Sequence, residues 1–84
     1  MNLFSASWKM NREQIEKEKV NFYKAIRRKK KDEVLASYQK IQMSFSEIPM
    51  PLANFFQKLK VNKYKKQTLN ELKSVMSKKR WLKD

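Results

Sequence analysis

The chain has 84 residues, with 21 Lys and Arg against 8 Asp and Glu, a net charge of +13, no His, no Cys, no Gly and two Pro. That composition excludes disulfides and thiolate metal sites, and it withholds the glycines that the loops of hairpins and β-sandwiches need. Forty per cent hydrophobic residues, ten aromatics among them, still suffice for one small helical core near the lower size limit of independent folding.

No apolar run approaches the ~18 residues of a membrane span, and no signal-like hydrophobic segment opens the sequence, so a cytoplasmic location is expected. The charge is uneven, +5 over residues 1–48 and +8 over residues 49–84. An excess of this size repels itself, and a polyanionic partner would relieve it.

Residues 1–10 carry Leu3, Phe4, Trp8 and Met10 without a clear period, which suggests an N-terminal arm packed on a helical bundle. Asn11 with Gln14 reads as a helix start, Asn capping and Gln reaching back. Ile15, Phe22 and Ile26, widened by Val20 and Tyr23, give the apolar stripe of a first helix over about residues 12–29. Its acids come early and its cations late, which suits the helix dipole.

The stretch Lys24–Lys31 is cationic at six of its eight positions and falls where two helical patterns meet. Val34, Tyr38, Ile41, Phe45 and Ile48 follow at steps of four and three, predicting a second helix over 33–48 that Pro49 stops. Leu35 and Met43 would widen that seam. A link as short as Lys29–Lys31 points to an antiparallel hairpin, with one long bent helix as the alternative. The heptad-like seam would equally serve a homodimer.

Pro51 suits the first turn of a third helix, 51–61, whose Leu52, Phe55, Phe56 and Leu59 have the spacing of a face buried in the core. A polar link, Lys63-Tyr64-Lys65-Lys66-Gln67, would separate it from a fourth helix over 68–82 that starts at a Thr68–Glu71 capping box. The expected fold is all-α, one domain of three or four amphipathic helices, with Phe22, Tyr38, Phe45, Phe55 and Phe56 in the core.

Catalysis finds little support. Without His or Cys the commonest general base, metal ligand and thiol nucleophile are missing, and no Gly-rich loop can cradle a phosphate. Acids such as Glu13 and Glu16 lie one helical turn from Lys17 and Lys19, the pattern of solvated pairs. A non-enzyme without metal or cofactor is expected.

The basic clusters are the functional signal. Lys24, Arg27, Arg28, Lys29, Lys30 and Lys31 form the first, and Lys58, Lys60, Lys63, Lys65 and Lys66 the second, of which Lys63, Lys65 and Lys66 are the binding candidates. Lys73, Lys78, Lys79 and Arg80, with Lys83, form a third on the last helix. Many cations on one surface favour polyanion binding through counterion release. Lys outnumbers Arg seventeen to four, which fits phosphate contact better than bidentate base reading.

Nucleic-acid binding, in a small regulatory protein, is therefore the leading reading. The 52–80 segment also has the periodicity of a helix-turn-helix, though its link is long and lacks Gly, and Tyr64 among lysines suits stacking on unpaired bases. The other partner classes are an acidic protein and, third, a membrane surface. A phage- or plasmid-type regulator would belong to the protein-binding class. In size, charge and helix order the chain is loosely similar to bacteriocin immunity proteins, and no motif residue makes that likeness specific.

Overall fold

The computed structural model describes residues 3–83, and every regular element in that range is helical. Helix α1 spans Leu3–Arg28, α2 Lys31–Ser46, a 3-10 turn Met50–Leu52, α3 Phe55–Ser77 and α4 Arg80–Lys83. The all-α expectation holds. The chain divides into two compact units, one ending at Leu52 and the other beginning at Ala53.

In the first unit α1 and α2 pack against each other as a hairpin, and α1 also touches the 3-10 turn. Phe4, Ile15, Glu18, Phe22 and Ala25 are the buried residues of α1, and Val34, Ser37, Ile41, Ser44 and Phe45 those of α2. Ile48, just past α2, is buried as well. Ile15, Phe22, Val34 and Ile41 are shut off from solvent completely, each contributing about 1.5–3 kcal/mol through burial.

From Ile15 onward the α1 stripe steps by three and four through Glu18, Phe22 and Ala25, the period of a helix with one covered face. Small side chains at Ala25, Ser37 and Ser44 occupy buried positions that larger ones would overfill. The seam expected on α2 is found at Val34, Ile41, Phe45 and Ile48, with Tyr38 half-buried. Val20, Leu35 and Met43, expected to widen the stripes, are exposed.

The arm expected at residues 1–10 is, from Leu3, the first part of α1; residues 1 and 2 lie outside the described range. Nothing between Leu3 and Arg28 breaks a helix, there being no Gly or Pro in it. Asn11 therefore caps nothing. Its side-chain Nδ2 donates to the Ser7 carbonyl at 2.9 Å and to the Ser7 hydroxyl at 3.2 Å, inside the helix.

In the second unit the expected third and fourth helices are one. The helix α3 runs unbroken through residues 62–67, so the 63–67 link is helical, Thr68 caps nothing, and the helix-turn-helix weighed for this segment is not formed. Its start is set by Asn54, whose Oδ1 accepts from the Gln57 amide while Gln57 Oε1 accepts from the Asn54 amide, both at 2.8 Å. This reciprocal box satisfies two amides that a bare helix end leaves open.

Pro51 stands before that cap, in the 3-10 turn. Val61, Thr68 and Leu72 are buried and Tyr64 and Val75 half-buried, a stripe at steps of three and four that passes through the supposed link. Phe55 and Phe56, expected in the core, are 68% and 78% exposed, and Leu59 is 52% exposed. They lie on the opposite side of the helix from that stripe, and α3 carries them outward. The helix ends at Ser77, after which the single turn α4 forms.

Candidate nucleic-acid interface

The basic stretch 24–31 becomes the tip of the α1–α2 hairpin through a specific chain reversal. The Lys29 amide donates to the Ile26 carbonyl at 3.1 Å and the Lys30 amide to the Ala25 carbonyl at 3.0 Å. These are the paired bonds of a Schellman ending. The motif requires a left-handed residue, here Lys29 at φ 55. Glycine usually fills that position because a Cβ there is crowded.

Four residues after Lys30, the Val34 amide donates to its carbonyl at 3.0 Å, and α2 is under way. The reversal thus takes two residues, and the cations on both sides of it are brought to one end of the hairpin. Lys24, Arg27, Arg28, Lys29 and Lys30 are exposed and Lys31 is half-buried. Among the described residues, none of Lys24, Arg27, Arg28, Lys29 and Lys30 is in an ion pair with an acid. Their charge is therefore directed at solvent.

Next to the tip, α1 and α2 leave a shallow recess of about 240 Å³ lined by Lys24, Arg28, Glu33 and Lys40, with the buried Glu18 and Ser37 at its base. Asn21 Nδ2 donates to Glu18 Oε1 at 3.4 Å there. Three cations, Lys24, Arg28 and Lys40, face two acids, Glu18 and Glu33, in this recess. The turn itself repeats that excess, Lys29, Lys30 and Lys31 outnumbering Asp32 and Glu33 around a second open hollow.

In the second unit, Lys63, Lys65, Lys66, Lys73 and Lys78 are exposed, Lys79 is half-buried and Arg80 is exposed at the start of α4. Because α3 is continuous, Lys63, Lys66 and Lys73 share one side of a single helix instead of two sites on separate helices. Tyr64 lies on the half-buried stripe, its hydroxyl closed to solvent, and is not an open stacking platform. Sequence reasoning missed Phe55 and Phe56 as surface residues, because their spacing with Leu52 and Leu59 copies that of a core face.

Among the described residues no cluster of acids could hold a metal ion, and no helix is long and apolar enough to cross a membrane. No family model, characterised protein or solved structure matches the chain.

Proposed function

We propose that this chain is a non-catalytic nucleic-acid-binding protein whose first contact with phosphate is made by the α1–α2 tip. The observation that carries this reading is the tip's composition. Five solvent-exposed cations, Lys24, Arg27, Arg28, Lys29 and Lys30, stand without a partner acid among the described residues, within two helical turns of a two-residue reversal.

Each cation placed on a phosphate releases condensed counterion, and this release needs no particular base sequence. Phosphate contacts position a protein without reading sequence, so weak sequence preference is expected at this site. The lysine-rich faces of α3 and α4, including Lys63, Lys65, Lys66, Lys73, Lys78, Lys79 and Arg80, would add to the same electrostatic attraction.

A triple variant, Arg27→Ala, Arg28→Ala and Lys29→Ala, tests the tip. It should weaken binding to all nucleic acids by a similar factor, with unchanged helicity by circular dichroism. Wild-type affinity in that variant would remove the tip from the interface.

A further inference from the structure

The exposed side of α3 is two-part. Its first turn presents Phe55, Phe56 and Leu59, at 68%, 78% and 52% exposure. From there the same side continues through Asn62, Lys63, Lys66, Asn70, Lys73 and Ser77, all exposed. No acid occurs between Glu47 and Glu71, so the stretch of chain that carries the apolar turn has only positive charges. Among the described residues Lys63, Lys66 and Lys73 have no ion pair.

The two rings lie 5.6 Å apart at 76°, edge towards face. In that arrangement neither ring is stacked flat against the other, and the exposures leave ring surface open on both. The Asn54–Gln57 box fixes the backbone of the turn that carries them, so a ligand would meet a preformed turn and that part of the ordering cost of binding is already met.

An interfacial membrane helix needs a broad apolar face along its length, and here the apolar part ends at Leu59. An unpaired nucleic-acid strand combines the two chemistries in the order that α3 offers them, flat π-surfaces for the rings and one negative charge per nucleotide for the lysines. Lys63 and Lys66 stand about 4.5 Å apart along the helix axis, and Lys73 about 10 Å further on, distances that side-chain reach can match to successive phosphates.

We propose that this face of α3 binds single-stranded nucleic acid, with Phe55 and Phe56 stacking on unpaired bases and Lys63, Lys66 and Lys73 holding the backbone. It rests on the nucleic-acid reading above and narrows its substrate class to strands with accessible bases.

The test compares labelled oligothymidylate with a duplex of matched length, using the whole chain and its variants in anisotropy titrations at fixed salt. The double substitution Phe55→Leu and Phe56→Leu keeps apolar volume but removes both rings. It should cost about tenfold or more in single-strand affinity, since stacking contributes ~1–3 kcal/mol per base, and leave duplex affinity unchanged. Phe55→Tyr with Phe56→Tyr should restore single-strand binding.

Equal single-strand affinity in the leucine variant, with binding still lost in the tip triple variant, would overturn the stacking site and leave the tip reading intact. No nucleic-acid binding by the wild-type chain would remove both. Loss of binding to vesicles containing anionic lipid in the leucine variant, with oligonucleotide affinity unchanged, would also overturn it and assign the face to lipid.

Discussion

The Lys30 amide donates to the Ala25 carbonyl at 3.0 Å, closing α1 around Lys29, which sits at φ 55. A lysine in the left-handed region costs about 1 kcal/mol that glycine would not incur. The chain holds a cation there in the most crowded position of the reversal, at a cost in stability. Lys29→Gly should therefore raise the unfolding free energy by about 0.5–1 kcal/mol, read from the midpoint of urea denaturation, and at the same time weaken polyanion binding. Lys29→Ala should weaken binding without the stability gain.

The N-terminus of α3 gives a second prediction. Removing the cap in Asn54→Ala should destabilise by about 1 kcal/mol and speed hydrogen exchange at the Gln57 amide that Asn54 Oδ1 receives. Asn11→Ala, which loses only bonds within the helix to Ser7, should stay within about 0.5 kcal/mol of wild type.

Those two asparagines show what the sequence could and could not reveal. Asn11-x-x-Gln14, Asn54-x-x-Gln57 and Thr68-x-x-Glu71 have the same capping pattern, and only the second caps. A box acts where the preceding chain is already non-helical, and Pro49 and Pro51 ensure that before Asn54. Upstream of Asn11 and Thr68 there is no breaker, so the helix continues through both.

The α1–α2 hairpin was legible because its stripes repeat at steps of three and four, and because acids open α2 while Arg27 and Arg28 close α1. Its turn carried no glycine signal, and the left-handed Lys29 has no marker in the sequence. In α3 the lysines of 63–66 resembled a loop by composition, which hid the stripe Val61, Tyr64, Thr68 and Leu72. Of the site, charge was readable, and the direction in which Phe55 and Phe56 point was not. That direction depends on which side of α3 is covered, and the covered stripe becomes visible only when residues 55–77 are taken as one helix.

The aromatic residues provide the sharpest contrast in stability. Phe22 has no exposed surface and Phe56 is 78% exposed. Phe22→Ala should cost about 3–5 kcal/mol and could abolish cooperative melting in a chain of this size. Phe56→Ala should change stability by no more than about 0.5 kcal/mol. Thermal melts followed by circular dichroism would separate the two.

Tyr38 on α2 has its hydroxyl closed to solvent with no hydrogen-bond partner among the described residues. A desolvated, unsatisfied hydroxyl costs about 1–3 kcal/mol. Tyr38→Phe, which keeps the ring and deletes the oxygen, should be neutral or more stable than wild type in urea denaturation. A loss of more than about 1 kcal/mol would mean the hydroxyl is satisfied in solution.

The central claim is that the exposed cations of this chain engage nucleic-acid phosphates, and the salt dependence of binding tests it most directly. Anisotropy titrations of duplex and single-stranded probes across a salt series should give a linear fall of log affinity with log salt. Five or six phosphate contacts imply a slope of about −4.5 to −5.5 on duplex, and the Arg27, Arg28 and Lys29 triple alanine variant should reduce its magnitude by about 2–3. Feeble binding at near-physiological salt, or a slope that the triple variant leaves unchanged, would contradict the account.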